Sequence, residues 1–107
     1  MKPSKIVFIN PELERAFGEL DKDDPIKKGI IKAISFLKED AFIGRRVKKD
    51  LIPKKLIEKY GINNLWICNL PSAWRMLYSL SPDEELKIVA LVLDWMNHKD
   101  YERIFKF

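Results

Sequence analysis

The chain has 107 residues, 47% of them hydrophobic, 34% charged and 11% aromatic, with a formal net charge of +4. That is the length of one domain with its own core, and its apolar residues are too evenly spread for intrinsic disorder. The longest apolar run, Ile88 to Leu93, is too short to cross a bilayer, and the opening MKPSKIVFIN has no secretory apolar stretch, so a cytoplasmic protein without membrane contact is expected.

Lys5 to Ile9 is rich in β-branched residues and predicts a first strand. Asn10-Pro11 then reads as a helix start, because Asn caps free backbone N–H groups and Pro fits the first helical position. Leu13, Ala16, Phe17 and Leu20 follow at helical spacing. Asp24-Pro25 repeats the signal, and Ile26, Ile30, Ala33, Ile34 and Leu37 mark a second apolar stripe. Two amphipathic helices joined by a short polar break predict an αα-hairpin.

Gly44 to Lys49 predicts a short basic strand, and Pro53 to Tyr60 a helix stopped by Gly61. Leu65 to Cys68 reads as a strand and Leu70 to Ala73 as a turn. Trp74 to Leu80 alternates, with Trp74, Met76, Tyr78 and Leu80 on one face and Arg75, Leu77 and Ser79 on the other. Ser81 to Glu84 reads as a turn. Leu86 to Trp95 is apolar on both faces, as a central strand would be. The tail from Asn97 to Phe105 is polar and aromatic, with room for a short helical turn. The expected fold is a single α+β domain over residues 1–107, with an N-terminal strand and helical hairpin packed on a mostly antiparallel sheet.

The positive charge is concentrated. Arg45 to Tyr60 holds seven bases (Arg45, Arg46, Lys48, Lys49, Lys54, Lys55 and Lys59) against Asp50 and Glu58, so this window is +5 and the remainder −1. Such a patch suits a polyanion or an acidic protein, or is simply a solvated Lys-rich face. There is no Gly-rich phosphate loop, no CxxC, no HExxH and no GxSxG. One His and one Cys do not make a conventional zinc site, and neither a metal nor any small-molecule cofactor is expected.

Three residues stand out as candidates for chemistry. His98 and Tyr101 are three apart, which puts imidazole and phenol on one side of a helical tail. His carries protons near neutral pH, though a lone polar His near a C-terminus is also an ordinary surface residue. Tyr101 taken alone also fits a half-buried packing role. Arg75 sits in a run of Trp, Met, Leu and Tyr, where a cation must be paired or must face a groove. It reads either as half of a structural ion pair, for example with Asp94, or as a rigid fork for phosphate oxygens.

The segment Leu70-Pro71-Ser72-Ala73-Trp74-Arg75-Met76-Leu77-Tyr78-Ser79-Leu80 resembles the strand signature of RelE/ParE-superfamily toxins. The tail His98-Lys99-Asp100-Tyr101-Glu102-Arg103-Ile104 is similar to the His-x-x-Tyr ending of HigB-like members. The order of predicted elements matches over nearly the whole chain. It departs between Asp50 and Leu65, where an extra helix replaces a simpler link.

The resemblance implies the toxin of a toxin–antitoxin pair. Its RelE-type members are metal-independent endoribonucleases (mRNA interferases) that cut mRNA on the ribosome, inhibit translation and are silenced by an antitoxin protein. It implies Arg75, His98 and Tyr101 as catalytic residues, Arg75 on the phosphate and the other two in proton transfer and base stacking. It implies Lys48 and Lys49 as RNA-binding residues, with Arg45 and Arg46 extending that surface. The expected partners are the cognate antitoxin, mRNA and the ribosome, with an acidic antitoxin segment over Arg45 to Lys59. Two other readings stay open: a non-catalytic ParE-like or degenerate toxin-fold protein that binds a protein target, and a small RNA- or ribosome-binding module.

Overall fold

The computed structural model describes residues 2–105. Strand β1 (Lys5–Phe8) leads into helices α1 (Pro11–Glu19) and α2 (Pro25–Glu39). The two-residue strand β2 (Arg45–Arg46), helix α3 (Lys54–Tyr60) and strand β3 (Trp66–Asn69) follow, and then β4 (Arg75–Pro82), β5 (Ile88–Met96) and helix α4 (His98–Phe105). Both predicted helix starts are present: Asn10 Oδ1 accepts from the Leu13 N–H and Asp24 Oδ1 from the Ile26 N–H, each with Pro next in sequence. Gly61 ends α3 at φ 66°, a left-handed conformation that glycine adopts without a Cβ penalty.

The sheet order is β1-β5-β4-β3-β2. It is mostly antiparallel, as expected: β2–β3, β3–β4 and β4–β5 are antiparallel, and β1, parallel to β5, makes it a mixed sheet. The apolar β5 is an interior strand, flanked by β1 and β4, so it has no polar face to show.

Three boundaries differ from the sequence reading. Of Gly44 to Lys49 only Arg45–Arg46 pairs as a strand, and Lys49–Leu51 turns into a single 3₁₀ turn. Ser81 and Pro82 belong to β4, opposite Val89 and Ile88. The hairpin loop is instead built on Asp83, whose Oδ1 accepts from the N–H groups of Glu85 and Lys87. The tail is a full helix, because Asn97 Oδ1 caps the Asp100 N–H and Asp100 places an acid in the first turn.

The two sheet faces carry separate cores. Helices α1 and α2 cover Met76, Tyr78, Ala90 and Val92, with Ile30, Ala33 and Leu37 supplied by α2. On the other face Leu56 of α3, Tyr101 of α4 and the intervening Val47, Ile52, Ile62 and Leu65 cover Ile67, Leu77, Leu93 and Met96. The alternation read in β4 is therefore right. Each fully buried aliphatic side chain contributes about 1.5–3 kcal/mol of transfer free energy. The candidate catalytic residues lie on the second face.

Candidate nucleic-acid interface

Arg75 opens β4 directly after a tight turn in which Ser72 (φ 57°) and Ala73 (φ 62°) are both left-handed. L-residues rarely hold that conformation, and such strain tends to mark functional sites. The Leu70 N–H donates to the Trp74 carbonyl at 2.9 Å and closes the turn.

Arg75 faces Met96 across the ladder, and its side chain points at α4. Its guanidinium carbon stands 5.4 Å from the centre of the Tyr101 ring. Nη1 donates to the Trp74 carbonyl at 3.1 Å, while Nε is buried with no hydrogen-bond partner.

Asp94 does not pair with Arg75 among the described residues. The register of β4 and β5 shifts between Leu77, opposite Asp94, and Tyr78, opposite Val92. Leu93 is the extra residue of this bulge. The Asp94 carboxylate accepts from the Trp95 N–H at 2.8 Å. Burial pushes its pKa up, against the backbone hydrogen bond and nearby Lys59, which lower it, and with Asp100, which raises it further.

Tyr101, on the sheet-facing side of α4, is 4% exposed, and its ring centre lies 4.7 Å from that of Phe105. Its hydroxyl accepts from Arg45 Nη2 at 3.2 Å. Arg45 therefore holds the phenol oxygen while Arg75 lies over the ring, and one aromatic side chain links two guanidinium groups from β2 and β4.

A cavity of about 320 Å³ opens beside Tyr101, lined also by Arg45, Arg46, Lys48, Leu51 and Phe105. The four basic residues expected on RNA divide here. Arg45, Arg46 and Lys48 line this cavity. Arg46, one residue along β2, also reaches toward the other sheet face, with its guanidinium carbon 5.9 Å from the centre of the Trp66 ring. Lys49 lines a different cleft with Arg46, Phe42, Trp66 and Asn64.

β2 owes its position to Gly44. The Gly44 N–H donates to Tyr78 Oη at 3.0 Å, and that hydroxyl donates to the Ala41 carbonyl at 3.0 Å. A Cβ on Gly44 would lie 2.5 Å from Tyr78 Oη and 2.9 Å from the Ile67 carbonyl oxygen, so only glycine allows this approach. Cys68, on β3 beside Tyr78, has its thiol pushed up to about 11 by burial, which makes it a packing residue and not a nucleophile.

His98 stands one turn before Tyr101 at the start of α4, with half of its side chain exposed. Its Nε2 is paired with Glu102 Oε1, an i,i+4 contact. A carboxylate on one ring nitrogen fixes the imidazole orientation and leaves the other nitrogen for a substrate proton. Glu102 was not singled out in the sequence, although the i,i+4 spacing from His98 was a signal for it.

No group of three or more His, Cys, Asp or Glu side chains among the described residues is placed to hold a metal ion. No described helix is long and apolar enough to cross a membrane. No family model, no curated protein and no solved structure matches this chain.

Proposed function

We propose that the chain is the toxin of a toxin–antitoxin pair, an endoribonuclease that cleaves mRNA on the ribosome without metal or cofactor. The observation that carries this reading is the convergence of Arg45 and Arg75 on Tyr101, with the oriented His98 one helical turn away. Two fixed cations beside a proton-carrying pair suit the inventory of a metal-free ribonuclease. The sequence resemblance to RelE/ParE-superfamily toxins supports the same chemistry.

In this mechanism the ribose 2′-oxygen attacks phosphorus and the bond from phosphorus to the 5′-oxygen breaks. The products are a 2′,3′-cyclic phosphate and a 5′-hydroxyl. His98 and Tyr101 share the two proton movements, from the 2′-hydroxyl and to the leaving 5′-oxygen. Arg75 stabilises the charge that grows on the phosphate. Arg45 and Lys48 hold the flanking backbone from the cavity beside Tyr101, and Arg46 and Lys49 contact RNA further round the edge of β2. An antitoxin with an acidic segment over Arg45 to Lys59 would cover this surface and silence it. A complex whose acidic segments all lie elsewhere contradicts that part of the proposal.

The deep burial of Tyr101 favours a second reading, in which the fold binds a protein target or RNA and cleaves nothing. End chemistry separates the two. Purified chain with translating ribosomes and end-labelled mRNA should yield 2′,3′-cyclic phosphate ends, also with a chelator present. Folded protein that yields no new ends, or only 5′-phosphate ends, sinks the nuclease reading.

A further inference from the structure

The cavity beside Tyr101 does not stand alone. A second, of about 390 Å³, lies between the start of α3 and the end of α4, with Lys54, Lys55 and Arg103 among its lining residues. Leu51 and Phe105 line both, so the two meet across these side chains. Leu51 is 61% exposed, a large apolar residue left at the surface where the cavities join. No carboxylate lines either cavity among the described residues, and the Arg103–Asp100 pair at 3.6 Å is solvent-exposed and weakly coupled.

The lysines are not explained by the stability of α3. They occupy its first turn, where the helix dipole disfavours cations, and Pro53 before them supplies no side-chain cap. A local rule broken without a compensating contact points to function. The ligand chemistry follows from the lining: cations at both ends, and between them an apolar platform of Leu51 and the Phe105 ring, itself in tilted contact with the Tyr101 ring. A single-stranded nucleic acid offers both complements, a regular line of phosphates and flat bases that stack.

We propose that the trough continues from Tyr101 across Leu51 and Phe105 to Lys54, Lys55 and Arg103. This extension holds single-stranded RNA flanking the cleaved position. It rests on the nuclease reading above and extends the RNA path onto α3.

The test is fluorescence anisotropy of the full chain with labelled oligouridylates of about 3 and about 12 nucleotides, chosen to lie below and within usual single-strand site sizes. The long oligomer should bind more tightly than the short one. Replacing Lys54 and Lys55 together by Ala should lower the slope of log affinity against log salt by about 1.4 for the long oligomer, at roughly 0.7 per lost phosphate contact. The short oligomer should be unaffected. Leu51→Ala should weaken the long oligomer without changing its salt slope. Both lysines and Leu51 are exposed, so the melting temperature should hold.

Equal binding of both lengths, or an unchanged slope in the lysine variant, overturns the extension. If mRNA is still cleaved in that case, the nuclease reading survives alone. Loss of both cleavage and oligomer binding in the wild-type chain removes both. Polyglutamate binding as tightly as oligouridylate overturns RNA as the occupant in favour of an acidic protein.

Discussion

The guanidinium of Arg75 lies 5.4 Å from the centre of the Tyr101 ring, and its Nε is buried without a hydrogen-bond partner. A buried, unmatched donor costs about 1–3 kcal/mol. Such a group calls for an explanation, and in this account a bound phosphate completes it. Arg75→Met keeps the apolar stem and removes the orphaned donor. It should leave the melting temperature unchanged or raise it, while cutting mRNA cleavage by a factor of about 100 or more. A marked fall in melting temperature would make Arg75 a structural residue.

Tyr101 joins packing and chemistry in one side chain, and two substitutions separate them. Tyr101→Phe keeps the ring against Phe105 and Arg75 and loses only the oxygen held by Arg45. Stability should change by no more than about 1 kcal/mol. Cleavage should fall by about 100-fold. Tyr101→Ala should instead cost about 3–5 kcal/mol of folding free energy, measured by denaturant titration.

Gly44→Ala tests how β2 is anchored. The added Cβ meets Tyr78 Oη and the Ile67 carbonyl, so β2 must shift away from β3 and take Arg45 with it. The expected cost is about 1–3 kcal/mol from overpacking. Binding should weaken more than in Arg45→Ala, because the backbone that presents Lys48 moves as well. A variant as stable as the wild type would contradict the contact.

Asp94 gives a pH signature. Burial raises its folded pKa above its unfolded value, so its contribution to stability is fully present below the unfolded pKa and is lost as pH rises through the folded one. Asp94→Asn should therefore raise the melting temperature at pH 7. The gain should vanish below about pH 3.9, the ordinary Asp value, where the wild-type carboxyl is also neutral. Thermal melts across that range check the sign.

Local chemistry was legible in the sequence, and long-range pairing was not. Asn10-Pro11, Asp24-Pro25 and Gly61 act on their own neighbours, and each does what its residue type dictates. The parallel β1–β5 pairing joins Lys5 to Val89, and nothing in either segment names the other. Pro82 looked like a turn residue, yet at the end of β4 it lies opposite Ile88 and needs no donor of its own.

The site divides the same way. Arg75 stood out as a cation in an apolar run, and Tyr101 by its three-residue spacing from His98. The Arg45–Tyr101 hydrogen bond spans 56 positions and depends on the two-residue β2, which no local pattern delimits. The split of Arg45 from Arg46 follows from strand alternation, once β2 is known to be a strand.

The most direct test is cleavage of mRNA by the purified chain on translating ribosomes, beside His98→Ala and Arg75→Met proteins shown to be folded. The account expects discrete cuts from the wild type, and a loss of about 100-fold or more from each variant. Undiminished cutting by both variants, or no cutting by the wild type, would contradict the assignment of the Arg45–Tyr101–Arg75 cluster and His98 as a ribonuclease site.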